Sequence, residues 1–148
     1  MKTIFDKETR LDIINRIDRL NQNSVAQWGK MNVYQMLKHC NLAEELYLGN
    51  MGHKRFFLGY ILGAWVLKGL LKDEAPMRRN APTSEKFMVA ELSGDIEAEK
   101  KQWIANLEKY ADFNKPYFTH WFFGKMTREQ IGQLVYKHAD HHLRQFNS

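Results

Sequence analysis

Apolar residues return at helical rather than strand spacing in five places along the chain. Over residues 7–21, Leu11, Ile14, Ile17 and Leu20 recur every three or four positions, the period of one helix face. A second stretch opens with Asn32 and Gln35 in capping-box relation, ends at Gly49, and lines up Val33, Met36, Leu37, Cys40, Ala43 and Tyr47. Residues 56–71, FFLGYILGAWVLKGLL, are apolar around most of a helix circumference. This stretch falls short of the ~20 residues a membrane span needs and is interrupted by Lys68, so it predicts a buried helix. Asp95 is placed to cap a fourth helix that turns Ile96, Trp103, Leu107 and Tyr110 inward, and Thr127 with Gln130 opens a fifth over 128–146. No strand-like alternation of useful length and no internal repeat appears. The expectation is an all-α chain, one domain over 1–148, built as an antiparallel four-helix bundle with one additional short helix. Trp28, Trp65, Trp103 and Trp121 are the expected large contributors to its core.

The last helix breaks its own pattern. At about 100° per residue, Ile131, Leu134, Val135 and Phe146 share one side, and His138 and His142 fall in the middle of it. Lys137, Asp140 and Arg144 point the other way, towards water, while His141 and Gln145 lie at the edge of the apolar face. A neutral imidazole buried without partners leaves a donor and an acceptor unpaired, at roughly 1–3 kcal/mol each. Two histidines at i and i+4 can be satisfied together by one divalent ion, the spacing by which both nitrogens reach it. For such a pair alone, core histidines bonded to backbone or to each other are the commoner arrangement. A third ligand from elsewhere reverses that balance, and His39, on the margin of the second helix's stripe, is the best placed. His53 follows a glycine in a turn and reads as exposed; His120, in the aromatic segment before the last helix, is placed to approach the site from above.

A lone histidine on an early helix followed by HADHHLRQ near the C-terminus resembles the DinB/YfiT-like superfamily of small helical metalloproteins, whose last helix carries an H-x-x-H-H-x-x-Q-like run. His138, His141, His142 and Gln145 occupy those positions here. In that family the first and last histidines of the run bind the metal with the histidine of the early helix. The resemblance therefore implies His39, His138 and His142 as ligands. It spans nearly the whole chain, with the specific stretches in WGKMNVYQMLKHC and FFGKMTREQIGQLVYKHADHHLRQF, and points to a subgroup of uncharacterised function. Arg144 replaces the small residue often found before the glutamine, so the ligands' outer partners do not carry over from the family.

Composition narrows the classes without naming a reaction. The chain of 148 residues, 44% hydrophobic and 13% aromatic, is long enough to bury a sizeable core. Its single cysteine, Cys40, excludes an internal disulfide and reads as core, which suits a reducing compartment, and the charged start MKTIFDKETR lacks the apolar run of a signal peptide. Cytoplasmic localisation is the expectation. A net charge of +5 and a pI near 9.3 raise nucleic acid as a partner, but basic and acidic residues are interspersed, with no run that would lay down a one-sided basic stripe, and no binding motif is present. The expected partners are a small-molecule substrate, anionic or thiol-containing, and a second copy in a homodimer, with no nucleic acid and no membrane.

Three neutral histidines leave an ion's charge undiminished and a coordination position open, the arrangement of catalytic metal sites. Zinc comes first and nickel beside it, with iron and copper also compatible with imidazole ligands. Ala139 stands where H-E-x-x-H needs its glutamate, which disfavours a zinc-peptidase mechanism. The resemblance implies a thiol-dependent transferase, with a hydrolase beside it. The rival reading is a non-catalytic metal-binding or stress-associated protein braced by its ion, and a third makes the histidines a satisfied polar cluster. Candidate catalytic groups are His141 and His120, with Glu44 and Glu45 as further bases by position. The connection over 73–94 is either a cover over the site or a plain crossover; Arg78 and Arg79 in it are solvated charges or a lure for an anion.

Overall fold

A computed structural model describes residues 1–148 and contains five α-helices and one small β-hairpin. Helices α1 (Lys7–Asp18) and α2 (Val33–Tyr47) precede α3 (Phe57–Leu70), α4 (Ile96–Glu108) and α5 (Arg128–Gln145). The hairpin strands β1 (Tyr117–His120) and β2 (Gly124–Thr127) run just before α5. Short 3₁₀ turns occupy Glu85–Phe87 and Lys109–Asp112. Helix starts follow the sequence signals closely. Asp6 accepts from the Thr9 amide, Asp95 accepts from the Ala98 amide, and both capping boxes, Asn32 with Gln35 and Thr127 with Gln130, are formed.

Helices α1 and α2 each pack against both α4 and α5, and a cluster of 27 buried residues fills the space between them. Trp103 and Tyr110 are the largest fully buried side chains. No helix is long and apolar enough to cross a membrane.

The chain departs from the all-α expectation at the hairpin. Phe118 pairs with Met126 and His120 with Gly124, antiparallel, and burial alternates along both strands. Four residues per strand are too few for that alternation to stand out from the aromatic run around it. The expectation for residues 56–71 is corrected more deeply. Helix α3 buries only Gly59, Gly63 and Leu67, so it is not an interior helix. It rests on the hairpin: the Phe56 amide donates to the Trp121 carbonyl at 2.9 Å, and the Phe122 carbonyl lies where a Cβ on Gly59 or Gly63 would have to be. A helix apolar all round has no period by which sequence alone could select its buried side. Trp65 is therefore 75% exposed, and Trp28 and Trp121 are only half-buried, leaving Trp103 as the one tryptophan of the four that fills the core.

Lys137 and Asp140 are also not where the helical wheel puts them. Both are buried. Lys137 Nζ donates to the carbonyls of Leu70 and Asp73, capping the end of α3, and Asp140 accepts from Arg16 Nη1 at 2.8 Å and from Arg144 Nε at 2.7 Å. The far side of α5 is covered by the α1 end and the α3 exit, which intrahelical periodicity does not register.

Candidate metal centre

Helix α2 contributes His39 and α5 contributes His138 and His142, and the three come together with their ligand atoms within 4.8 Å of one another. His39 Nε2 and His138 Nε2 stand 3.2 Å apart. For comparison, two nitrogens on one tetrahedral ion at 2.0–2.1 Å are separated by about 3.3 Å. The i, i+4 spacing on α5 does what it was expected to do, bringing the His138 and His142 rings to 4.7 Å centroid separation.

Two of the three rings have their outer nitrogens bonded to the protein. His39 Nδ1 lies 2.8 Å from the Phe87 carbonyl, so this nitrogen carries the proton and Nε2 presents its lone pair. His142 Nδ1 lies 2.9 Å from Gln145 Oε1. Gln145 in turn donates from Nε2 to the Trp28 carbonyl at 2.7 Å, which orients its amide with the oxygen towards His142. This approach depends on Gly29: it sits at φ +80, and a Cβ there would strike Gln145 Nε2. Bonds that fix the tautomer and aim of a ring are the usual outer partners of a metal-binding histidine. The donor set thus fits a divalent ion that accepts imidazole nitrogen. The sequence pattern brings the three histidines together and gives Gln145 only a position in a run; it does not register Phe87 and Trp28, whose contributions are backbone carbonyls that no side-chain motif records.

All three imidazoles are held neutral. Burial pushes His39 down from its ordinary value; burial first, then the neighbouring His142 and His39, depresses His138 far more; burial and then His39 brings His142 to about 3. Neutral rings are what ligation needs.

A cleft of about 410 Å³ opens onto the cluster, bordered by His39, His138, His141 and His142 on the helix side and by Met77, Asn80, Pro82, Phe87 and Met88 on the other. The 73–94 connection therefore lies over the site. No Asp or Glu lines this cleft. Beside it, a second pocket is bounded by Trp28, Met77, Arg79, His141 and Arg144. Arg79 stacks on the Trp28 ring at 4.3 Å and makes no salt bridge, and the Trp28 indole N–H is buried without a partner. Arg78 is exposed and borders neither pocket.

The remaining candidates separate clearly. His141 is half-buried, edge-on to Trp28 at 5.6 Å, borders both pockets and stays outside the ligand cluster. His120 is buried, stacked on Tyr47, and borders a cavity of about 110 Å³ that His138 also lines. Its Nδ1 accepts from the Phe122 and Phe123 amides at 3.1 and 3.2 Å, which puts its proton on Nε2. Burial, then the charges of His53 and Arg55, brings it to about 3, so it is a fixed donor and not a proton carrier at neutral pH. Glu44 faces the bundle core, bonded by Tyr110 at 2.6 Å and Trp103 at 3.4 Å, with burial raising it to about 7; Glu45 bonds Asn50. Neither lines the cleft. His53 is half-buried against Phe118 rather than exposed. Cys40 is core, its thiol pushed up by burial.

No curated protein and no solved structure matches the chain. A family model does: the family described as a protein of unknown function, DUF1569, covers residues 5–148, and the chain belongs to it.

Proposed function

We propose that this is a metal-dependent enzyme of the DinB/YfiT-like kind, a cytoplasmic four-helix bundle in which His39, His138 and His142 hold one divalent ion, zinc or nickel first, for thiol-dependent transfer or hydrolysis of a small anionic molecule. The observation that carries this reading is the pair of outer bonds, His39 to Phe87 and His142 to Gln145, which aim two lone pairs into one point beside His138. When bound, an ion with three neutral ligands and an open position polarises a substrate oxygen or acidifies a thiol. The chain's residues supply the rest. With no carboxylate lining the cleft, nothing nearby offsets a dication's charge, which favours an anionic substrate. Arg79, stacked on Trp28 at the edge of the adjoining pocket, orients such a substrate's anionic end. His141, between the two pockets, is the group placed to exchange a proton with it.

The bracing alternative asks the ion to hold the fold. Against it stands a core of 27 buried apolar residues that packs α1 and α2 against α4 and α5. Tag-free protein should carry about one divalent ion per chain by elemental analysis, and chelation should leave its helical circular dichroism intact. Unfolding on chelation would favour bracing; absence of retained metal after loading and dialysis would remove the site. A screen of thiol and ester substrates with the loaded form then tests the reaction class.

A further inference from the structure

Helix α3 carries an apolar surface that nothing in the chain covers. Phe57, Tyr60, Ile61 and Trp65 are 73, 67, 66 and 75% exposed, and Phe56, Leu58 and Leu62 are exposed beside them. At 100° per residue these side chains sweep roughly 200° of the helix. The four aromatics alone, at 150–250 Å² each, present on the order of 500 Å², and the aliphatics bring the patch towards the ~800 Å² per partner of a standard interface. Patches that large on a soluble chain mark contact surfaces.

We propose that α3 is the interface of a homodimer, packed on α3 of a second copy about a two-fold axis. Phe57, Ile61, Trp65 and Gly69 form one i+4 ridge on the outward face, and such ridges interdigitate at about −50° in the commonest mode of helix packing. The ridge is self-complementary. An axis passing between Ile61 and Trp65 sets each Ile61 against Trp65 of the second copy and each bulky Phe57 against Gly69, where a Cβ would meet no atom within 4 Å. Lys68 then falls beside Leu58 of the second copy, its stem on apolar surface and its ammonium in water.

A membrane surface is the other partner an apolar helix suits, and α3 is built wrongly for it. Interfacial helices are two-faced, with cations flanking the apolar side. In α3 the apolar residues run all round, and its single cation, Lys68, sits within the exposed arc. The glycines of the inner strip fix the helix rigidly to the hairpin, so the outward ridge is presented in a set geometry.

Sedimentation equilibrium of the full chain tests this. Wild type should behave as twice 17.6 kDa at micromolar concentration. Trp65→Glu should raise the dimer dissociation constant by roughly 30-fold or more, the size of a central interface residue, with unchanged circular dichroism because the side chain is exposed within one copy. Gly69→Leu should do the same without adding charge, by filling the recess for Phe57. A monomeric wild type at 100 µM, a dimer indifferent to both substitutions, or a monomer that binds phosphatidylcholine–phosphatidylglycerol vesicles would each overturn the proposal.

Discussion

Helices α5 and α3 break the same rule in opposite directions. Helix α5 buries a histidine, a glutamine, a lysine and an aspartate on a structure whose interior should be apolar; α3 displays phenylalanine, tyrosine, isoleucine and tryptophan to solvent. The difference lies in compensation. Around α5 most buried polar groups have partners within the chain: Phe87 for His39, Gln145 for His142, two arginines for Asp140, two carbonyls for Lys137. Around α3 the exposed apolar arc has none. A compensated violation marks a site the fold has already prepared, whereas an uncompensated one marks a surface whose partner lies outside the chain.

The largest effect should come from removing a ligand on the prepared side. His142→Ala or His39→Ala should weaken metal retention by more than the roughly 10–100-fold that outer partners such as Gln145 are worth, and His53→Ala should leave it unchanged. Equal metal content in all of these variants, measured after dialysis against a competing chelator, would dissolve the contrast between the two helices. On the other side, Gly63→Ala should destabilise the fold by about 1–3 kcal/mol, because the added methyl displaces the Phe122 backbone. Ile61→Ser, two residues away on the exposed face, should change monomer stability by no more than about 0.5 kcal/mol. Denaturant melts of the two variants at concentrations where the chain is monomeric would show whether α3 is held by its glycines, and comparable losses would mean its outer face is not free.

Much of the site was legible because its signals are local and few. An i, i+4 histidine pair on an apolar stripe and one further histidine on a capped helix are readable from spacing, and the three histidines do meet. Both capping boxes are likewise local, and they fixed the starts of α2 and α5. The missed features depend on distant contacts. Nothing inside residues 56–71 says which side of α3 will be buried, since that is decided by a hairpin some sixty residues later, and the hairpin's own strands are too short to announce themselves. A helical wheel sends Lys137 and Asp140 to water because it sees only its own helix; what covers them is Arg16 on α1 and the end of α3. Glu44, a candidate base by sequence proximity to His39, turns to Trp103 and Tyr110 instead.

A smaller effect distinguishes the buried histidines by pH. His120 is brought to about 3 in the folded chain, by burial first and then by His53 and Arg55, against an ordinary value near 6.5. Its folded pKa is depressed, so below pH 6.5 the unfolded chain takes up a proton that the folded chain refuses. The stability it contributes is complete above 6.5 and is lost progressively down to about 3, at no more than about 1.4 kcal/mol per pH unit for one group. Metal-free wild type should therefore lose thermal stability on acidification through this window. His120→Asn keeps an acceptor for the Phe122 and Phe123 amides and does not titrate, so its stability should fall less steeply between pH 6.5 and 4. Parallel curves for the two proteins would show that His120 is protonated in the native state.

The smallest expected effect on metal is at His141, the histidine that lies between the two ligands in sequence. It stands about 60° round the helix from His138 and about 100° from His142 at 100° per residue, and it packs on Trp28 outside the cluster. Burial lowers it from its ordinary value, with a Met77 backbone bond working the other way. It borders both pockets, so it is placed to meet a substrate that spans them. His141→Ala should leave metal content and monomer mass unchanged, while any activity found should fall and its acid limb should move, since that limb would report this ring. Loss of metal in this variant would show that the ion is held by a different pair on α5. An unchanged rate and pH profile would make His141 a packing partner of Trp28 and leave the cleft without a proton carrier.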